Sequence, residues 1–296
     1  MPELPEVETI RRQLEPVLSG RPIVAADGHP SPKFSSAGHA AGTTIVGVGR
    51  RGKYLLIGLD DQRQLVIHLG MTGVVRMRAP EHLGDPYIRA WWELDGGQVL
   101  ELRDVRRFGR VAIVPTDDHR SLPTLAALGP EPLSAEFTAL ALHSALRRSS
   151  VQVKTQLLHQ RAVAGIGNIY ADEALWRARI DPTSRRVTSA QAVDLRAAIR
   201  HVLRAGIANG GTTLRDYRTV TGDRGRNQHT LACYGRAGQP CRRCGSPLVR
   251  RVVDGRGTTW CPACQSGRAA TRSAGRAITA VGARRSSPRP RRAAGG

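Results

Sequence analysis

The sequence predicts an α+β protein of several domains: a helix, an antiparallel β-domain, a helical domain and a zinc-binding hairpin follow one another along the chain. Three observations predict this order. Apolar side chains recur at a helical period in residues 3–19, short β-rich runs fill residues 21–115, and helical patterns return after Pro115. Two pairs of cysteines then stand near the C-terminal end.

The first helix is predicted from the spacing of Val7, Ile10 and Leu14, and Gly20 supplies its end. Many short β-rich runs follow with no helical pattern between them, which is typical of a β-sandwich or barrel. The segment DGG at 95–97 predicts a hairpin loop. The predicted strands are TTIVGVG, KYLLIGL, QLVIHLG, VVRMR, AWWELDGG, QVLELRD and RVAIV.

Four helices are predicted in the second half of the chain, followed by a loop at 218–238 and a compact cysteine-bearing module at 239–267. Ser and Thr mark two of the helix starts, because their side-chain oxygens accept hydrogen bonds from the first turn. The predicted helices run from the N-cap Ser134 to about Leu146, over 151–161, onward from Asn168, and over 189–208 after Thr188.

The chain is strongly basic: its 296 residues include 45 Lys and Arg against 24 Asp and Glu, a formal charge of +21. This excess favours a polyanionic partner, with nucleic acid ahead of an anionic membrane. The sequence contains no run of about 18 apolar residues, so no membrane-spanning helix is predicted. The acidic start MPELPEVE is unlike an export signal, and we expect an intracellular protein with no membrane partner.

The last segment, 268–296, contains eight Arg and no acidic residue among Ala, Gly, Ser and Pro, and is predicted to be disordered. Two interpretations stay open, a solvated tail and a tail that raises non-specific affinity for DNA. Removing its eight charges leaves +13, so the folded part is predicted to be basic by itself.

The pattern C-x2-C-x16-C-x2-C is formed by Cys241, Cys244, Cys261 and Cys264. Four thiolates in two close pairs can complete a tetrahedral shell around one structural Zn²⁺. The residues between the pairs are predicted to form an Arg-rich hairpin that faces phosphates; a purely structural or protein-binding ribbon is the alternative. Cys233 has no place in this shell and is predicted to be an ordinary buried or free thiol.

The N-terminus is a second candidate for chemistry. Pro2 is small enough for Met1 to be removed, which leaves a prolyl amine. A free α-amine has a pKa of about 7.7–8.0 against about 10.4 for Lys, so it is the better nucleophile toward a sugar carbon at neutral pH. Glu3 and Glu6 could serve as general acid or base. An ordinary helix start is the alternative, since acids there suit the helix dipole.

The segment GIGN at 165–168 is predicted as a turn between two helices. Its two glycines allow the backbone to approach a ligand, and the helix that begins at Asn168 offers free N–H groups to a phosphate. Lys154, upstream, could add a positive charge for the same DNA phosphates. A plain helical hairpin that packs a core explains the same residues.

Together these motifs resemble one family, the bacterial formamidopyrimidine-DNA glycosylases, within the wider group that includes endonuclease VIII. The resemblance runs in order over about residues 2–267 and leaves out only the basic tail. The motifs that carry it are PELPEVETIRRQL, GRRGKYLL, HLGMTG, DVRRFG, KTQLLHQRAVAGIGNIYADEALW, CYGRAGQPC and CPACQ.

The resemblance implies a fold and its domains. These are a β-sandwich domain that begins with a helix at 2–118, a helical domain with a helix–two-turn–helix at 119–232, and a zinc finger at 233–267. The segment 268–296 would be a disordered basic tail.

The resemblance also implies roles for individual residues. The amine of Pro2 would be the nucleophile at C1′ of the damaged nucleotide. Glu3 would protonate the sugar ring oxygen, and Lys53 would contact phosphate and assist.

The same resemblance implies the DNA contacts. Asn168 and Arg256 would hold the phosphates around the lesion. Met71, Arg106 and Phe108 would enter the duplex where the base has been extruded, Phe108 as a wedge and Arg106 paired with the orphaned cytosine.

The implied activity is a DNA glycosylase with β,δ-lyase activity on double-stranded damaged DNA, with no cofactor in the chemistry. The implied substrates are oxidised purines, namely 8-oxoguanine and formamidopyrimidines. The loop that would cover the purine, TVTGDRGRNQ at Thr219–Gln228, lacks the aromatic residue often found there. A relative that prefers other oxidised bases and a non-catalytic zinc-ribbon DNA-binding protein are the alternatives. We expect a monomer in the cytoplasm, associated with the nucleoid.

Overall fold

The computed structural model of the protein describes residues 2–79 and 84–266. The predictions for Met1 and for the tail at 268–296 fall outside these residues. Within them, no helix is long and apolar enough to cross a membrane.

The first helix, α1, spans Leu4–Leu18, as predicted. Its apolar face is buried, and the chain turns away at Gly20, whose φ of +82° is a backbone conformation that glycine adopts without strain. Leu4 packs in the core of the helical unit, whereas Val7, Ile10 and the apolar residues after them pack in the core of the β-sandwich. One helix therefore joins two cores and places the start of the chain between them.

Eight strands form two four-stranded antiparallel sheets with a shared core, which confirms the sandwich. The predicted hairpin loop at 95–97 joins two paired strands of the first sheet. The first sheet has the order β1 (Ile23–Gly28), β6 (Ile88–Leu94), β7 (Val99–Arg103), β5 (Val74–Arg78), and the second the order β2 (Ile45–Arg51), β3 (Tyr54–Leu59), β4 (Arg63–His68), β8 (Arg110–Pro115).

Strand β1 was not among the predicted strands. Its sequence, IVAADG, contains Ala, Asp and Gly, which are uncommon in strands. It forms because its backbone pairs along β6, from Ile23 opposite Leu94 to Gly28 opposite Ala90. Tertiary pairing outweighs local propensity here.

The helical unit follows the predicted order, but two of the four predicted helices are shorter than predicted and one short helix precedes them. Helix α5 begins at Asn168, and α6 is capped by Thr188, whose Oγ1 accepts a hydrogen bond from the Gln191 backbone N–H at 3.1 Å. Both of these predictions are confirmed. The five helices are α2 (Pro123–Ala126), α3 (Ala139–Arg147), α4 (Val153–Leu158), α5 (Asn168–Arg177) and α6 (Ser189–Ala208).

The predicted N-cap Ser134 is wrong. Its hydroxyl donates to the carbonyl of Glu131 at 2.9 Å within a turn, and α3 begins only at Ala139, where Thr138 accepts from the Ala141 N–H at 3.0 Å. Helix α4 is also shorter than the predicted 151–161, because the residues after it form the two turns that lead into α5.

The C-terminal module is the predicted hairpin. Strands β9 (Val249–Val253) and β10 (Arg256–Trp260) pair antiparallel, with Arg256 opposite Val253 next to the turn. Cys244 precedes the hairpin and Cys261 follows it directly. The two cysteine pairs therefore lie at the same end of the hairpin, and Arg256 lies at the other.

Candidate active site and DNA-binding surface

The carboxylate of Glu3 lies at the beginning of helix α5. It accepts backbone hydrogen bonds from Gly167 at 2.7 Å and Ile169 at 2.9 Å, and Glu3 is only 1% exposed. The next residue, Leu4, donates its N–H to the carbonyl of Gly165 at 3.1 Å. The start of α1 is therefore fixed to the GIGN turn by both side chain and backbone.

This contact corrects the predicted role of the two glycines. A Cβ on Gly167 would lie 2.3 Å from the Glu3 carboxyl carbon, and one on Gly165 would lie 2.5 Å from a Leu4 methyl carbon. Both glycines are required for close approach to α1. Glu3 binds the N–H groups of Gly167 and Ile169 at the start of α5. A phosphate at that helix end would share it with Glu3, and the predicted phosphate contact there stays a prediction.

Glu6 lies one helical turn after Glu3 and is equally buried. It accepts hydrogen bonds from the backbone N–H of Glu3 at 2.8 Å and of Thr212 at 2.6 Å, and from the hydroxyl of Tyr170 at 2.9 Å. Burial, and then the negative charge of Glu3, raise the pKa of Glu6 to about 7. Glu6 can therefore exchange a proton near neutral pH.

Lys53 follows a tight turn between β2 and β3 and is 6% exposed. Burial lowers the pKa of its ammonium group; the charges of Glu3 and Glu6 oppose that shift, and the charge of Arg256 adds to it. The four residues come from three separate segments of the chain, and Glu3, Glu6 and Arg256 all lie within electrostatic range of Lys53. Among the described residues, the ammonium group of Lys53 has no hydrogen-bonding partner.

The turn before Lys53 is held by Glu131, a residue that the sequence reasoning missed. Glu131 accepts the backbone N–H of Gly52 at 2.6 Å and forms an ion pair with Arg50 at 2.8 Å. Arg50 also pairs with Glu8 of α1 at 2.9 Å. No local pattern marks Glu131, because the turn that it holds is about 80 residues away in sequence.

Met71, Arg106 and Phe108 lie together on two loops of the sandwich. Met71 is 37% exposed and Phe108 43%, so each loop presents one large apolar side chain to solvent. The Arg106 guanidinium lies 4.5 Å from the centre of the Phe108 ring. The structure thus brings the three predicted wedge residues to one exposed edge.

Lys154 is not available to a phosphate, and the predicted contact is wrong. Its side chain is completely buried and forms an ion pair with Asp172 at 2.6 Å. Its ammonium group also donates to the Gly257 carbonyl at 3.1 Å and to the Thr258 hydroxyl at 2.8 Å. Lys154 therefore fastens the β9–β10 hairpin to the helical unit.

Asn168 and Arg256 lie on either side of the same junction. The Asn168 side-chain amide donates to the Gly257 carbonyl at 3.0 Å, and its oxygen is buried without a partner among the described residues. Arg256 is exposed beside that contact. The hairpin thus places a free guanidinium near Lys53 and the start of α1.

The four cysteines of the predicted zinc site come together. The Sγ atoms of Cys241, Cys244, Cys261 and Cys264 all lie within 4.8 Å of one another, and a tetrahedral site needs about 3.8 Å between sulfurs. The residues fit one structural Zn²⁺ with a closed ligand shell. Cys233 lies outside the cluster, buried, and donates to the Thr259 carbonyl at 2.9 Å.

A cavity of about 570 Å³ lies between α1, β5 and the loop at 218–222. Gln13 and Arg76 line it, and the Gln13 side chain also accepts the Val220 backbone N–H at 3.0 Å. The loop is therefore folded onto α1. It overlaps the segment Thr219–Gln228, which is predicted to cover a purine.

Three family models match the chain in succession. They are the formamidopyrimidine-DNA glycosylase N-terminal domain at 1–111, the formamidopyrimidine-DNA glycosylase H2TH domain at 128–218, and a zinc finger found in FPG and IleRS at 238–267. The order agrees with the sandwich, the helical unit and the cysteine module.

Similar proteins cover nearly all of the described residues. Formamidopyrimidine-DNA glycosylase of Deinococcus radiodurans is 44% identical over 278 residues, which is 90% of this chain and 97% of that protein. The crystal structure of MutM (Fpg) from Thermus thermophilus has a TM-score of 0.83 at 44% identity, covering 90% and 99% of the two chains. A Lactococcus lactis Fpg mutant in complex with Fapy-dG-containing DNA has a TM-score of 0.81 at 35% identity, covering 89% and 99%.

Proposed function

The chain belongs to the formamidopyrimidine-DNA glycosylase family, and on that premise we propose which of its residues perform the reaction. It is a base-excision repair enzyme, a DNA glycosylase and AP lyase, and its partner is damaged DNA. One observation carries the assignment of residues: Glu3, Lys53 and Arg256 converge on the start of the chain.

The first step is an attack of the Pro2 amine on C1′ of the damaged nucleotide. Pro2 is buried where α1 meets α5. As the N–C1′ bond forms, the bond between C1′ and the base breaks, and the base leaves with the proton that the prolyl nitrogen gives up. Glu3 donates a proton to the sugar ring oxygen, so that the ring opens and a Schiff base remains at C1′.

The second step is elimination. The Schiff base withdraws electrons, so a proton at C2′ becomes acidic and its loss expels the 3′ phosphate. A second elimination then expels the 5′ phosphate. Lys53 contacts phosphate here, and its lowered pKa suits proton exchange. Glu6 holds the backbone N–H of Glu3 and accepts or returns a proton near pH 7.

DNA is held by groups that surround this buried site. Asn168 and Arg256 contact the phosphates that flank the lesion. Met71, Arg106 and Phe108 fill the space that the base leaves, because extruding a base costs a few kcal/mol and intercalated side chains recover part of it. The extruded base lies under the loop at 218–222, and oxidised purines, 8-oxoguanine and formamidopyrimidines, are the substrates.

Each of the three predicted domains has its own role in the reaction. The sandwich domain at 2–118 supplies the chemistry and the wedge, the helical domain at 119–232 orients Glu3, and the zinc finger at 233–267 presents Arg256. The enzyme acts as a monomer in the cytoplasm, on the DNA of the nucleoid.

Borohydride trapping tests this assignment. One form of the protein is released by a protease so that it starts at Pro2, and a second keeps a short N-terminal extension. On an 8-oxoguanine·cytosine duplex we expect a covalent adduct from the first form only, with the linkage at Pro2 by mass spectrometry. An adduct from both forms would show that the nucleophile is a lysine side chain and not the Pro2 amine. An adduct on an abasic duplex alone would support the Schiff-base chemistry but show that 8-oxoguanine is not the lesion that the enzyme excises.

A further inference from the structure

A buried carboxylate, Asp104, lies beneath the exposed edge that carries Met71 and Phe108. Asp104 is completely buried. One carboxylate oxygen accepts the Thr72 hydroxyl at 2.6 Å, and the other accepts the backbone N–H of Gly109 at 2.7 Å. Thr72 directly follows Met71 and Gly109 directly follows Phe108. A single side chain therefore bonds both loops, each one residue away from a wedge side chain.

The two loops are also in direct backbone contact. Gly70 has a φ of +61°, and a Cβ at this position would lie 2.4 Å from the Phe108 carbonyl carbon. A Cβ on Gly109 would lie 3.1 Å from the Asp104 carboxylate. The contact leaves no space for a side chain, so the relative position of the loops depends on their mutual hydrogen bonds.

Asp104 itself is anchored to the sheet. Its backbone N–H donates to the Tyr87 carbonyl at 2.9 Å, and its own carbonyl accepts the Arg89 guanidinium at 2.8 Å. Arg89 is 7% exposed and lies in β6. The carboxylate is thus a fixed point against which two exposed loops are held.

We propose that Asp104 is a positioning residue that holds the Met71 turn and the Phe108 loop as one rigid wedge, so that Met71, Arg106 and Phe108 enter the duplex together. The inference rests on the proposed function, because it assumes that these three side chains enter DNA. A wedge held in advance loses little side-chain and loop entropy on binding, so more of the contact energy is available to extrude the base.

The proposal separates base extrusion from the chemistry that follows. Asp104 has no contact with Glu3 or Lys53, so loosening the wedge leaves the Schiff base site intact. Excision of a stacked lesion then slows, while reaction with an abasic site, which has no base to extrude, changes little. Discrimination of the base opposite the lesion also weakens, because Arg106 is no longer held in place.

Thr72 offers a matched pair of variants. Thr72→Val keeps the shape of the side chain but removes the hydroxyl that Asp104 binds, whereas Thr72→Ser keeps the hydroxyl. Asp104→Asn is a second conservative variant, since its amide can donate to Thr72 and its oxygen can accept from Gly109. Asp104→Ala removes both bonds.

The experiment measures three quantities for each variant. They are the fluorescence of a 2-aminopurine placed beside 8-oxoguanine, which reports unstacking, the single-turnover excision rate opposite cytosine and adenine, and borohydride trapping on an abasic duplex. For Thr72→Val we expect unstacking and excision to slow about tenfold, the loss expected for one hydrogen bond to a charged group, and a smaller preference for cytosine. Trapping stays within about twofold of wild type, and Thr72→Ser and Asp104→Asn keep near-normal rates.

Two results would overturn the inference while leaving the proposed function standing. Unstacking by Thr72→Val could equal that of the wild type, or excision and abasic trapping could fall by the same factor, which is the mark of a purely structural role. Phe108→Ala distinguishes the other failure. If this variant unstacks the duplex as well as the wild type does, both the wedge assignment and the positioning role of Asp104 are wrong.

Discussion

The buried site at the start of α1 and the exposed wedge at the sandwich edge differ in how their side chains are supported. Glu3 and Glu6 are each 1% exposed and bind groups on other segments of the chain, whereas Met71 and Phe108 are 37% and 43% exposed. Proton transfer needs groups that are held in fixed positions. The proposed opening of the duplex needs apolar surface that stays uncovered until DNA covers it.

The two regions also differ in what their buried carboxylates join. Glu3 joins α1 to the helical unit, so its hydrogen bonds cross between two cores. Asp104 joins two loops of the sandwich alone. We therefore expect changes in the first region to alter stability and chemistry together, and changes to wedge side chains to alter activity with no loss of stability.

The largest effect is expected from Glu3→Gln. Loss of the proton donor should slow base release by about 10²–10⁴-fold. Stability should also fall by about 1–3 kcal/mol, because the amide N–H₂ group would face the N–H of Gly167 or Ile169. Single-turnover kinetics and denaturant unfolding measure the two effects. Glu15→Gln is the control: it removes only a half-exposed ion pair with Arg11 on the same helix, so base release should not change and stability should fall by no more than about 1 kcal/mol. Normal base release by Glu3→Gln would remove Glu3 from the mechanism.

Lys154→Met tests whether the second buried lysine is structural. It leaves Asp172 buried without its partner, and we expect a loss of about 3–5 kcal/mol in the free energy of unfolding. The salt dependence of DNA binding should keep its slope, whereas Arg256→Gln, which removes a proposed phosphate contact, should reduce that slope by about 0.9. A reduced slope for Lys154→Met would show that Lys154 contacts a DNA phosphate, contrary to its buried position in the structure.

Glu6→Gln tests the proton chemistry of the buried site through pH. The pKa of Glu6 is about 7 in the folded protein and lies near its ordinary value of 4.5 in the unfolded chain. The folded state therefore binds the extra proton between these values, and its stability falls as pH rises through that range. The stability of Glu6→Gln relative to wild type should rise by about 2–3 kcal/mol from pH 5 to pH 8.

Denaturant titrations of both proteins at several pH values measure this difference. Asp172 and Glu173 also have raised pKa values, but they are present in both proteins and cancel. A difference that does not change with pH would mean that Glu6 stays ionised in the folded state.

The smallest effect is expected from Phe108→Ala. Its exposed ring supports no core, so stability should stay within about 0.5 kcal/mol of wild type. Excision of 8-oxoguanine should slow about tenfold, as expected from the loss of one aromatic stacking contact. Leu140→Ala, another exposed apolar residue but on α3, is the control and should leave both quantities unchanged. A large loss of stability in Phe108→Ala would show that the two regions do not differ as described.

Sequence by itself determined the features that depend on local pattern or on spacing. The helical period of residues 3–19, the Thr188 cap, the hairpin loop at 95–97 and the four zinc ligands were all predicted, because each depends on residues close together in the chain. The family motifs added the chemistry at Pro2, Glu3 and Lys53, which composition and periodicity alone would not assign.

Only the tertiary structure decided how buried polar groups are used. Lys154 and Asn168 share one sequence motif, yet one is paired inside the protein with Asp172 and the other lies at the hairpin junction. Asp104 acts on Thr72, which lies 32 residues away. The partner of a buried charge is fixed by packing between distant segments, because an unpaired charge there costs several kcal/mol, and no local pattern records that choice.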